Sequence, residues 1–352
     1  MRRLIAICML IVLCLSMSGC NYWADGYYVS VTPHPQQDEY RELGELYASS
    51  FSTIRDALSQ LIADGASKGI IFLSDLSEDV ARSYMSIAIQ NLRDWDPVAA
   101  YAVESVQFEV GTNTGRSALA VEITYRKSQS EIMRIKRVDT MDEAVESIGS
   151  VLEQAGSTIV LRIDTYKQTD FSVLVQRYAD ENPDKIMETP QVLMSVYPEQ
   201  GRSRVVELTF IYQMEAEELL HMMELVWPVF TAAELYVQGG ASAREKYSQL
   251  YSFLMERYEY EIRSSVTPTY SLLQEGIGDS RAFACVYGAM CRKAGLLCDV
   301  IAGFKDGIPW YWNRIQVDNV EYYVDLIDSN QYGMLTMRSE SEMGNYIVNP
   351  GS

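Results

Sequence analysis

Hydrophobic spacing divides the chain into stretches of different kinds. Residues 4–15 are an unbroken apolar run. Further on, apolar residues recur at helical spacing over residues 54–62 and 144–152, each stretch followed by a short apolar strand, 69–73 and 158–163,. A second helical pattern follows each strand, at 79–92 and 171–178. Alternating stretches come next: Val106-Gln107-Phe108-Glu109-Val110 turns through Gly115-Arg116-Ser117 to Val121-Glu122-Ile123-Thr124, and Val192-Leu193-Met194-Ser195-Val196 turns through Gly201-Arg202-Ser203 to Val206-Glu207-Leu208-Thr209. Alternation around a polar turn predicts a β-hairpin.

Gly115 and Gly201 lie 86 residues apart, with the same order of elements before each, so the pattern predicts two tandem αβαββ units over 46–133 and 134–228,. Two unrelated hairpins are the alternative. Residues 215–226 read as a helix that closes the second unit. Neither unit carries a glycine-rich phosphate loop, and the carboxylate pairs Asp142-Glu143 and Glu217-Glu218 sit at helix starts, where they suit the dipole,.

A third domain is expected over 229–352. Ser242-Ala243-Arg244-Glu245 is a capping-box pattern, and Tyr247, Leu250, Tyr251, Leu254 and Tyr258 form one helical stripe,. Asp279 is a good N-cap for an apolar helix over 280–293, which Gly295 ends,. Strands are predicted over 296–304, 308–317 and 320–327, joined by turns at Asp306-Gly307 and Asp318-Asn319,.

The start has a separate logic. Behind Arg2 and Arg3, the apolar run is shorter than the ~20 residues a spanning helix needs,. It fits a secretory signal over 1–19. Ser18-Gly19-Cys20 resembles the bacterial lipobox, although Met17 stands where leucine is usual. That resemblance implies cleavage before Cys20, lipidation of Cys20, a tether over 20–45 and a lipid-anchored, extracytoplasmic position on the outer face of a bacterial cell membrane. An ordinary signal peptide with an incidental cysteine is the alternative.

The residues of the third domain resemble the transglutaminase-like superfamily, a papain-like cysteine-enzyme fold. Gly278-Asp279-Ser280-Arg281-Ala282-Phe283-Ala284 fits the family's nucleophile segment, with Ser280 at the cysteine position. Ala294-Gly295-Leu296-Leu297-Cys298 and Val300 to Gly303 fit the next stretch. Trp310-Tyr311-Trp312-Asn313 fits the histidine segment, with Trp310 in place of the histidine, and Tyr322-Tyr323-Val324-Asp325 retains the aspartate. The fold class expected is therefore α+β: two αβαββ units, then a helix and an antiparallel sheet.

The same resemblance implies a degenerate triad at Ser280, Trp310 and Asp325. An indole offers one N–H donor and no basic lone pair, and a carboxylate is a weak base for an alcohol. On alternating strands Trp310, Trp312 and Arg314 share one face, and Tyr323 and Asp325 share another, so Trp310, Trp312, Tyr323 and Asp325 are expected to line an aromatic cleft suited to a sugar or an extended peptide. Alternatively, Trp310 fills the vacated site as core.

Charge and rare residues narrow the partners. Acidic residues outnumber basic ones 48 to 29, and the chain from Cys20 onward carries −21, which disfavours nucleic acid,. The two histidines, His34 and His221, and the bunched Cys285, Cys291 and Cys298 form neither a metal set nor a disulfide framework,. No metal and no cofactor are expected. Two functions compete: a surface-anchored binder or scaffold for a peptide, glycan or partner protein, and an active hydrolase or acyl-transferase using Ser280 or a displaced cysteine.

Overall fold

The computed structural model describes residues 45–349. The signal segment, Cys20 and, save Glu45, the tether lie outside those residues. The described chain is α+β.

The first sheet comes from β1 (Leu46–Ala48), α1 (Phe51–Ala63), β2 (Lys68–Leu73), α2 (Glu78–Trp95), α3 (Pro97–Ala102), β3 (Val103–Asn113) and β4 (Arg116–Tyr125), in the order β1-β2-β4-β3. After α4 (Gln129–Met133), a second sheet forms from β5 (Lys136–Val138), α5 (Met141–Leu152), β6 (Thr158–Ile163), α6 (Phe171–Glu181), β7 (Gln191–Tyr197) and β8 (Arg204–Ile211), in the order β5-β6-β8-β7. In both, the first two strands are parallel and the other pairs antiparallel. Each unit thus opens with a three-residue strand, too short to show alternation, ahead of the expected αβαββ elements. Helix starts follow local chemistry: the Ser50, Ser77, Thr140 and Asp170 side chains each accept a backbone N–H of the first turn,. Val138, Ile148, Leu161, Val175 and Leu208 are buried in the second unit's core.

The third part comprises α7 (Ala216–Tyr236), α8 (Ala243–Met255), β9 (Glu259–Tyr260), β10 (Ile277–Gly278), α9 (Ser280–Lys293), β11 (Cys298–Lys305), β12 (Ile308–Val317), β13 (Val320–Val324), α10 (Leu326–Asn330) and β14 (Tyr346–Val348). Its sheet has the order β13-β12-β11-β14. Helix α7 runs across residue 229, and its Leu219, Val226, Phe230 and Ala233 are buried in the same core as α8 and α9. The stripe Tyr247, Leu250, Tyr251 and Leu254 faces that core. Helix α9 is buried from Ala282 to Cys291 without a break, which suits a helix apolar all round,. Gly295 ends it at φ 75°.

Two expectations about the last strands are corrected. The third strand stops at Val324 rather than 327, because Asp325 turns out of the ladder and caps α10, its Oδ1 accepting the Asp328 N–H at 3.0 Å. A further strand, β14, adds to the outer edge of β11 at Gly303, Phe304 and Lys305.

The C-terminal end of α6 meets α9 through charges. Arg281 Nε donates to Asp180 Oδ1 at 2.8 Å, Arg281 Nη2 donates to Thr189 Oγ1 at 2.8 Å, and Lys293 Nζ lies 3.0 Å from Asp184 Oδ2. Asp180 and Asp184 are buried, so these pairs fix the second unit against the third. Among the described residues no helix is long and apolar enough to cross a membrane.

Candidate functional site

The start of α9 supplies the first part of the site. Asp279 Oδ1 accepts the Ala282 N–H at 2.9 Å, which places Ser280 at the first helical position and its hydroxyl at the positive end of the dipole,. The short β9–β10 pairing sets Gly278 opposite Tyr260. Ser280 Oγ accepts the Tyr311 N–H from β12 at 3.3 Å. The hydroxyl thus spends an oxygen lone pair on the strand beside it. Asn313, two residues further, donates from Nδ2 to the Ala284 carbonyl at 2.8 Å and pins β12 to α9.

Trp310 and Asp325 meet. The indole Nε1, from β12, donates at 2.9 Å to Oδ2 of Asp325, the residue just past the end of β13. The tryptophan therefore supplies an N–H donor to the aspartate, as an imidazole would, but no acceptor on the far side of the ring. Asp325 Oδ2 also accepts from Lys305 Nζ at 2.9 Å and from the Tyr346 hydroxyl at 2.8 Å. With the Asp328 amide on Oδ1, the carboxylate receives four hydrogen bonds, and the residue is 3% exposed. Lys305 bridges to Asp328 Oδ1 at 2.9 Å, and Asp328 also pairs with Arg338.

Electrostatics follow from this knot. Burial alone would lower the Lys305 ammonium, but its bonds to Tyr346, Asp325 and Asp328 hold it above its ordinary range. Burial works against ionisation of Asp328, yet Lys305 and Arg338 hold its carboxyl below the usual value. Burial, with the Asp279 and Asp325 charges, raises the Tyr260 phenol; its ring lies 5.7 Å from that of Trp310. The Tyr346 phenol is pushed up to about 12 by burial and by Asp325.

The four residues expected to line one cleft are divided. Trp312 is 1% exposed and forms a small core with Ile301 and Met343, against which Trp310, Tyr323 and Tyr346 pack. Asp325 lies inside the polar knot and no longer shares a strand face with Tyr323. Tyr323 lines a half-open groove of about 720 Å³ between α6 and β11, together with Arg314. Trp310 packs against the same small core as Trp312, together with Met343 and with Tyr346 of β14.

Several partners had no sequence signal. Lys305 stands at a hairpin end, where a lysine reads as solvated, and Tyr346 lies in a strand that pairs late in the chain. Asp180 sits one helix away from Cys285: the thiol Sγ donates to Asp180 Oδ1 at 3.6 Å. Burial, and then the Asp180 charge, pushes the Cys285 thiol well above its ordinary range, so it stays protonated. Cys291 and Cys298 are buried and free. His221 is exposed on α7, with Nδ1 3.7 Å from Glu224, and His34 lies outside the described residues. Among the described residues no group of acids, cysteines and histidines could hold a metal ion.

Comparison with known proteins agrees with the residues of the third part. The family model of the transglutaminase-like superfamily matches residues 231–329. Among solved structures, the crystal structure of a TGase is 11% identical, with a TM-score of 0.27, over 48% of this chain and 50% of that one. A provisionally assigned protease from Parabacteroides distasonis is 9% identical, with a TM-score of 0.25, over 73% of this chain and 39% of that one. A provisionally assigned cysteine protease from Cytophaga hutchinsonii is 12% identical, with a TM-score of 0.25, over 46% of this chain and 71% of that one. The chain thus spans half or less of the first two structures. No curated protein matches the chain. The matched segment contains Ser280, Trp310 and Asp325, and residues 231–329 are a transglutaminase-like domain belonging to that superfamily.

Proposed function

We propose that this protein is a surface-anchored lipoprotein whose transglutaminase-like domain performs no catalysis and serves to bind or scaffold a peptide, a glycan or a partner protein. One observation carries the reading. The aspartate of the degenerate triad is closed in a knot with Trp310, Lys305 and Tyr346, while the Ser280 hydroxyl is bonded to a backbone amide. Acyl transfer by such a site needs a nucleophile and a base that takes its proton. Trp310 has no basic lone pair, and Asp325 is held by donors. Loss of nucleophile or base in a unit of this kind lowers rate by about 10⁴ to 10⁶.

The competing enzyme reading has Cys285 beside Asp180 in its favour, but that thiol is buried and held protonated. Iodoacetamide and a fluorophosphonate, each titrated against the intact protein at neutral pH, distinguish the two. No saturable labelling is expected. Stoichiometric labelling that disappears in Ser280→Ala or Cys285→Ala would overturn the non-catalytic role.

The lipid anchor is tested separately, by fractionating cells that express the protein. Cys20→Ala is expected to move it from the membrane to the soluble fraction. Membrane association unchanged by that substitution would refute the anchor.

A further inference from the structure

Each αβαββ unit follows its second helix with one further turn that opens on a proline. Asp96 and Pro97 follow α2, and Asn182 and Pro183 follow α6; 183 − 97 = 86, the spacing that separates Gly115 from Gly201. Proline suits the first helical position, where an N–H has no intrahelical partner. The Asp96 carbonyl accepts the Ala100 N–H at 2.9 Å, and the Asn182 carbonyl accepts the Ile186 N–H at 3.0 Å, so the same bond closes both turns.

Both turns are buried against what comes next in the chain. Every residue of α3 is buried, in contact with α1 and α2 of its own unit and with β7 and β8 of the second. Tyr101 is the side chain that crosses. Its ring lies 5.5 Å from that of Tyr197 on β7, and its hydroxyl donates to Glu207 Oε1 on β8 at 3.1 Å. Lys127 Nζ reaches the same oxygen at 2.6 Å. Met187 stands at the same spacing from Tyr101, 187 − 101 = 86, and crosses in the same way. Ile186 beside it belongs to the second unit's core, while Met187 is buried in the core that holds α7, α8 and α9. The Glu188 carboxylate then accepts the Gln213 N–H at 2.6 Å and the Met214 N–H at 3.2 Å, just ahead of α7.

An apolar side chain buried in a neighbour's core ties the two parts together, because opening either one returns it to water. The pairs Asp180 with Arg281 and Asp184 with Lys293 join the same two parts. We infer that each proline-started turn is a wedge by which a unit braces the part of the chain that follows it: the first unit braces the second through Tyr101, and the second braces the transglutaminase-like domain through Met187. The two units thus have a role of their own, in holding α9 and the residues it carries, whether or not Ser280 is catalytic. Met187 precedes residues 231–329, so the brace lies outside the segment that the family model matches.

The test is hydrogen exchange on the intact protein, read by mass spectrometry. Leu161, on β6, is buried in the second unit's core and is not part of the core that holds α9. Leu161→Ala is expected to speed amide exchange over residues 280–293 at least about tenfold, along with that over 158–163 and 204–211. Exchange that rises only within the second unit overturns the inference, and does so even where the variant unit unfolds outright. Met187→Ala is expected to speed exchange over 280–293 as well. In the double variant the two effects are expected to be less than multiplicative, because the wedge that transmits the first is gone. A multiplicative result would place the coupling outside the wedge and overturn its role. Tyr101→Ala is expected to speed exchange over 191–197 and 204–211 at least about tenfold. Unchanged exchange there overturns the brace between the two units.

Discussion

Gly303→Ala is expected to destabilise the transglutaminase-like domain by about 3 kcal/mol or more and to detach β14. A Cβ at this position would stand 2.1 Å from the Ile347 carbonyl oxygen and 2.6 Å from Cη2 of Trp312. Neither neighbour can yield cheaply. The carbonyl belongs to the strand paired with β11, and Trp312 is enclosed with Ile301 and Met343. Overpacking of a close-packed core costs about 1–3 kcal/mol and sometimes more, and here relief requires breaking backbone pairing as well. Because Tyr346 lies in β14, the same substitution removes its hydroxyl from Asp325. Urea unfolding followed by tryptophan fluorescence gives the loss, and amide exchange over 346–348 reports the strand. Gly111→Ala is the control, since a Cβ there meets nothing within 4 Å. Equal midpoints for the two variants would show that β14 does not pack as described.

Lys305→Met should cost about 3 kcal/mol by a different route. Its ammonium is the only cation bonded to Asp325 among the described residues, and the Asp325 side chain is 1% exposed. Removing one partner of a buried pair leaves the other charge uncompensated, at about 3–5 kcal/mol. The lower end applies because Trp310, Tyr346 and the Asp328 amide still donate to the carboxylate. Lys305→Met combined with Asp325→Leu is expected to recover much of the loss, since the unpaired charge is then gone. A single-variant loss below about 1 kcal/mol would mean that the knot is solvated.

The pH dependence of this knot has a definite sign. Asp328 is lowered in the folded state, so its contribution is present above the unfolded carboxyl value of about 3.9 and is lost as pH falls through the folded value,. Lys305 is raised, so its contribution is complete below the unfolded value of about 10.4 and is lost as pH rises through the folded one,. Stability from the knot should therefore be flat between about pH 5 and 9. The same titration of Lys305→Met, run by urea midpoint, should show a shallower acid loss.

Much of the fold was legible because its signals are local. Asp279 as N-cap, the apolar run to Lys293 and Gly295 as stop fixed α9 to the residue, since capping and left-handed backbone depend on single side chains,. Asp306-Gly307 and the alternation after it defined β12 in the same way. The strands of three residues, Leu46–Ala48, Lys136–Val138 and Tyr346–Val348, carry too few positions for a period and exist only through their partners,. The boundary near 229 was not legible either: α7 is one continuous helix, and which core takes its apolar face depends on what packs beside it.

The site divides along the same line. By itself the sequence determined which chemical groups are present: a serine at 280, a tryptophan at 310, an aspartate at 325, and two histidines, His34 and His221. Those are properties of side chains, fixed by covalent structure. Only the tertiary structure decided what those groups do to one another. It brought Lys305 and Tyr346 onto Asp325, buried Trp312 instead of opening it to a cleft, and placed Asp180 against Arg281 and Cys285. Such pairings join residues from 20 to 105 positions apart, and burial and charge compensation between them arise only when the chain has closed those distances,.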